Sequence, residues 1–133
     1  MNPLILKRLI GSSSGPVLGP ELVTNGDFGS ATGWTLSAGF TIGSGLLSIN
    51  SASGNANNVF LAQSGKQYEI TVDIVALSGG TINVAVGGGT ETISTPGVKI
   101  FRKVATVNNY LFILVNTGSV IATIESISVK EVI

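Results

Sequence analysis

The side chains able to do covalent chemistry in this 133-residue sequence are few, and their spacing suits none of the common mechanisms. Glu69 and Asp73 fall on a common strand face, but four residues of strand hold them ~13 Å apart, beyond the separation that paired glycosidase carboxylates use. Gly11-Ser12-Ser13-Ser14-Gly15 matches the Gly-x-Ser-x-Gly pattern of a nucleophile elbow. The chain has no histidine to complete a triad, however, and the match lies in a linker-like stretch rather than at a strand-to-helix turn. Gly43-Ser44-Gly45 precedes no Lys-Ser/Thr pair and opens no helix, so it is no phosphate loop. With neither histidine nor cysteine, the usual ligands of structural zinc, haem and iron-sulfur clusters are missing too. The expectation is a protein that is no enzyme and holds no cofactor.

Recognition chemistry is what remains. A sugar platform needs an exposed aromatic face beside amide donors and acceptors, and Tyr110 with Asn55, Asn57 and Asn58 is the set from which one could be built, with Phe40 or Phe60 as further aromatics. The supply is thin: 5 Phe, 2 Tyr and 1 Trp, several of them needed by a core. Trp34 is expected inside. The run from Tyr110 to Val115 is apolar on both faces, so it is either covered on both sides or exposes a hydrophobic stripe. A loop or arm of the same chain could cover it, or a neighbouring subunit could, which makes Tyr110, Phe112 and Leu114 candidate subunit contacts.

Charge narrows the partners. Seven basic and seven acidic residues leave a formal net charge of +0, which gives no field to hold nucleic acid or an anionic membrane. Lys99, Arg102 and Lys103 form the densest basic cluster and read as a solvated strand face. From Phe28 to Gly65 there is no charged residue at all, so Ser, Thr and Asn must solvate that stretch or another surface must cover it.

These residues have to be positioned by strands. Tyr68, Ile70, Val72 and Ile74 alternate with Gln67, Glu69, Thr71 and Asp73, a period of two with one buried face. Ile82, Val84 and Val86 repeat the pattern, and Gly79-Gly80 and Gly87-Gly88-Gly89 supply turns around them. Further strands are expected over 21–24, 34–36, 40–42, 46–49, 58–62, 91–94, 98–107, 110–115 and 120–129, with turns at Asn108-Asn109 and Asn116-Thr117-Gly118. Near the end, Ile124, Ile127 and Val129 are spaced three and then two, which places a β-bulge at Glu125-Ser126. The whole reads as an all-β, antiparallel β-sandwich over residues 21–133. A chain of this size buries about two thirds of its extended surface, enough for a core without disulfides.

Residues 1–20 read as an arm and linker, extended or with a short helix capped by Asn2-Pro3 and stopped at Gly11. Leu4, Ile5, Leu6, Leu9 and Ile10 make it apolar, and it is expected either to trail as a tail or to dock on a partner or sibling copy. Lys7 and Arg8 interrupt the apolar run, so it is no signal peptide, and no segment has the length of a membrane span. The expected place of synthesis is a cytoplasm.

The segments Glu21-Leu-Val-Thr-Asn-Gly-Asp-Phe28, Thr32-Gly-Trp-Thr35, Ser64-Gly-Lys-Gln-Tyr-Glu-Ile-Thr-Val-Asp-Ile74, Gly79-Gly-Thr-Ile-Asn-Val-Ala-Val-Gly-Gly88 and Ala122-Thr-Ile-Glu-Ser-Ile-Ser-Val-Lys-Glu-Val132 together resemble galactose-binding-like jelly rolls of the carbohydrate-binding-module type, especially those of tailed-phage virion proteins. The resemblance spans about residues 21–132 and implies a jelly-roll fold. It implies a structural protein on the virion surface, a capsid decoration or fibre, whose partners are the major capsid protein and sibling copies, or alternatively an adhesive module for glycans. In that family an aspartate at the bulge helps hold a structural calcium with acceptors from the Asn-Gly-Asp segment. Here the bulge carries Glu125 and Ser126, so Asp27 and Glu125 offer only two carboxylates to an ion that takes six to eight oxygens.

Overall fold

The computed structural model describes residues 16–51, 53–115 and 119–133. The described residues form eleven strands: β1 Leu18–Glu21, β2 Trp34–Leu36, β3 Phe40–Gly43, β4 Leu46–Ser51, β5 Gly54–Ala62, β6 Gln67–Ser78, β7 Ile82–Val86, β8 Gly89–Ile93, β9 Gly97–Val104, β10 Asn109–Val115 and β11 Val120–Val132. One sheet has six strands, in the order β9-β6-β11-β4-β3, with β1 pairing the C-terminal end of β11 on the side that β4 takes at its start. The other has five, in the order β2-β5-β10-β7-β8, and all pairings in both are antiparallel. Two antiparallel sheets around one apolar core make the sandwich that the alternation predicts.

The period of two decides what is inside. Ile70, Val72 and Ile74 of β6, Ile82, Val84 and Val86 of β7, Leu111, Ile113 and Val115 of β10, and Ile124, Ile127 and Val129 of β11 are all buried. Each such side chain contributes ~1.5–3 kcal/mol by leaving water. On β11 the register jumps from Ile124 opposite Ile74 to Ser126 opposite Asp73, so Glu125 is the extra residue of the expected bulge. A further shift opposite Thr123 and Ile124 leaves Val75 unpaired on β6. The two irregularities let long strands twist while keeping their apolar faces inward.

The Asn25-Gly26-Asp27 turn is held against that bulge. Gly26 accepts a hydrogen bond from the Ile127 amide at 2.8 Å, and a Cβ at position 26 would stand 2.1 Å from the Ile127 carbonyl oxygen. Phe28 then enters the core at φ 56°, a left-handed conformation uncommon for a bulky residue. Its ring lies 5.3 Å from that of Trp34, whose indole N–H donates to the Asn25 carbonyl at 3.0 Å. Trp34 is therefore a core residue with its polar edge satisfied, as its rarity in the sequence implies.

Strand limits depart from expectation where side chains intervene. The first strand lies at Leu18–Glu21 rather than 21–24, so the end of the expected linker is built into the sheet, and Ile133 donates to the Val17 carbonyl at 2.8 Å. The Glu21 carboxylate stops β1 by accepting from the amides of Val23 and Val129, at 3.1 and 3.0 Å, and from the Ser128 hydroxyl. The fifth strand starts at Gly54, four residues before the expected start at Asn58. Leu4, Ile5, Leu6, Leu9, Ile10 and the Asn116-Thr117-Gly118 turn lie outside the described residues.

Candidate functional site

The outer face of the five-stranded sheet gathers the polar and aromatic residues on which a recognition site depends. Strand register places Thr35 of β2 opposite Asn57 of β5, Asn57 opposite Phe112 of β10, Phe112 opposite Ala85 of β7, and Ala85 opposite Thr90 of β8. A second row runs Asn55, Leu114, Asn83 and Thr92. Tyr110, opposite Leu61, stands at the end of the face and is 48% exposed, against half-buried Phe112 and Leu114. The apolar run of β10 thus turns its alternate side chains, Tyr110, Phe112 and Leu114, to the outer face of the sheet.

Beside Tyr110 lies a shallow groove of about 230 Å³ lined by Thr35, Asn57, Asn58, Val59 and Tyr110. Asn57 and Asn58, adjacent in sequence, do different things there. Asn58 is buried, and its side-chain amide donates to the Thr24 carbonyl at 3.0 Å while its oxygen accepts from the Phe60 amide at 3.0 Å and, longer, from Thr24 at 3.4 Å. It ties the chain after β1 to β5. Asn57 faces outward, and its Oδ1 is buried without a hydrogen-bond donor. An acceptor kept from water without a donor costs ~1–3 kcal/mol, and a donor at the groove recovers that loss only by drawing the amide outward.

The other candidate residues separate on inspection. Phe40 is buried in the core, and Phe60 packs edge-on to Tyr68 with ring centroids 5.4 Å apart, so neither is a platform for a ligand. Asn58, expected among glycan contacts, has its amide spent on the fold. Asn55 takes its place in the second row, its backbone locked to Ser37 on both sides. Thr35, Val59, Asn83 and Thr92 were not singled out from sequence, because only cross-strand register joins them to Tyr110. The Thr92 hydroxyl donates to Asn83 Oδ1 at 2.7 Å, which orders the far end of the second row.

Asp27 lines an open notch with Glu21, Asn25, Gly26, Ser126 and Ser128. Its Oδ1 accepts from the Gly29 amide, and both Glu21 oxygens are taken by N–H and O–H donors. Glu125 is exposed and no part of the notch lining, and among the described residues no three of His, Cys, Asp or Glu gather as a metal site. With one Asp27 oxygen and both Glu21 oxygens engaged by donors, and Glu125 outside the notch, too few carboxylate oxygens are left there for the six to eight that calcium takes. The basic cluster is likewise partnered: Arg102 with Glu69 at 2.8 Å, Lys103 with Glu91 at 3.0 Å, and Lys99 with the Thr95 hydroxyl at 2.8 Å. Among the described residues no helix is long and apolar enough to cross a membrane.

No protein-family model and no curated protein matches this chain. Among solved structures, the apo carbohydrate-binding module CBM1 of BiXyn10A superposes with a TM-score of 0.56 at 17% identity, covering 85% of this chain and 97% of that one. The arabinose-bound α-L-arabinofuranosidase MgGH51 gives 0.55 at 14% identity, covering 86% of this chain, which spans only 27% of the enzyme's length. At such identities the likeness is one of fold: this chain has the β-sandwich architecture of a carbohydrate-binding module.

Proposed function

We propose that this chain is a non-catalytic glycan-binding module that lays a saccharide on the outer face of its five-stranded sheet, against Tyr110. The observation that carries this reading is a groove that sets the Asn57 side chain beside an exposed tyrosine. A sugar matches that pairing, since its C–H face stacks on an aromatic ring while its hydroxyls donate to amide oxygens. The architecture shared with a carbohydrate-binding module supports the reading as an analogy of fold. The test is titration of the purified chain against an array of glycans, followed by Tyr110→Ala. The variant should keep its melting temperature, because the ring is half exposed, and lose about tenfold or more in affinity, ~1.4 kcal/mol. Full retention of binding by the variant would remove the tyrosine from the site.

A second reading, display on a tailed-phage virion, is compatible with the first. Besides the sequence resemblance, it is supported by the edge strand β9, which exposes Val98, Ile100 and Val104 on one face at 60%, 64% and 54%. An apolar edge of this kind is open to strand addition by a scaffold protein. In this reading the arm provides the attachment and the sandwich provides the display.

A further inference from the structure

Building on the glycan-binding reading above, we propose that the face takes an internal stretch of an uncharged polysaccharide and discriminates against uronate-containing and sulfated chains. The chain sorts its charges between the two sheets. Among the described residues, Glu91 is the one charged side chain carried by the strands of the five-stranded sheet. It is in register with inward-facing Val84, and its carboxylate meets Lys103 of the other sheet at 3.0 Å. Every other described charge stands on the six-stranded sheet or in the loops at Asp27 and Lys66. The outer face of the five-stranded sheet therefore offers amides, hydroxyls, aromatic carbon and aliphatic carbon, and no fixed charge. A carboxylate or sulfate laid on it would lose water and meet no cation, and unpaired charge is the group least tolerant of such transfer. Sugar hydroxyls lose little, because Thr35, Asn55, Asn57, Thr90 and Thr92 can exchange hydrogen bonds with them.

The span of the face sets the length of the ligand. The row from Thr35 to Thr90 crosses all five strands, four spacings or ~19 Å in the hydrogen-bonding direction. That accommodates several sugar rings side by side, and among the described residues the row ends at the edge strands β2 and β8, with no further strand of the sheet beyond them.

Affinity electrophoresis of the full chain tests this with hydroxyethylcellulose, galactomannan and arabinoxylan as neutral probes and polygalacturonate, alginate and heparin as anionic ones. The expected result is retardation by at least one neutral polymer, about tenfold stronger than by any anionic one, unchanged within about twofold between low and high salt. Free monosaccharides should not compete; full competition by one would overturn the extended-chain part. Equal or stronger retardation by an anionic polymer, lost in Tyr110→Ala, would overturn the neutrality while leaving the glycan reading standing. Retardation by none of the six would overturn both. Thr90→Lys places a cation at the exposed end of the row, and it should add salt-sensitive polygalacturonate binding. Absence of that gain would show that the ligand does not reach β8 and that the five-strand span is wrong.

Discussion

Two adjacent asparagines should respond to the same substitution in opposite ways. Asn58→Ala removes a donor to the Thr24 carbonyl and an acceptor for the Phe60 amide, both at 3.0 Å, together with the longer contact to the Thr24 amide. At ~1 kcal/mol for each good bond, and more for backbone groups left unsatisfied in a buried place, the loss comes to ~3 kcal/mol. For a domain of this size that lowers the melting temperature by ~10 °C. Asn57→Ala removes an oxygen that has no donor, so its stability cost should be below ~1 kcal/mol and its sign favourable if relief of the orphaned acceptor outweighs the lost packing. Its effect should appear instead as about tenfold weaker glycan binding. Urea and thermal unfolding followed by Trp34 fluorescence, with titration of a retained polysaccharide, separate the two. Equal destabilisation by both substitutions, or a larger effect at Asn57, would refute the division of labour between neighbouring side chains.

Two further outcomes follow from the backbone. Gly26→Ala puts a Cβ 2.1 Å from the Ile127 carbonyl oxygen, a clash with main chain at the bulge, and should cost ~3 kcal/mol by denaturant unfolding; a loss under ~1 kcal/mol would show that the turn can move away from β11. Removal of residues 1–15 spares the described β1 pairing and should leave the melting temperature unchanged while abolishing attachment to any particle that carries the full chain; undiminished occupancy by the truncated protein would show that the arm is not the attachment.

Much of the fold was legible because it depends on local alternation. A buried face at every second residue of β6, β7 and β10 identifies strands and their inward sides without knowledge of partners, and the three-then-two spacing at Ile124, Ile127 and Val129 betrays the bulge. What was illegible depends on partners far away in sequence. The polar start of β5, Gly54 to Asn57, has no strand propensity and is held as strand by β10 and β2 on either side. The burial of Asn58 follows from Thr24, 34 residues earlier, and nothing in the run of asparagines distinguishes it from Asn57.

The charge-free stretch from Phe28 to Gly65 is the clearest case of a sequence feature whose meaning changes on folding. It supplies β2 and β5 to the five-stranded sheet but β3 and β4 to the six-stranded one, so it does not by itself make a charge-free face. The face is completed by β7, β8 and β10, from a part of the sequence that is richer in charge, and it stays neutral because the alternation turns Glu91 inward to Lys103. The cations Lys99, Arg102 and Lys103 all fall on β9, across the sandwich. A one-residue slip of β8 against β7 would turn Glu91 outward beside Asn83 or Ala85 and give the face a charge. The register of one short edge hairpin, turned at Gly87 and Gly88, thus decides whether this surface carries a charge.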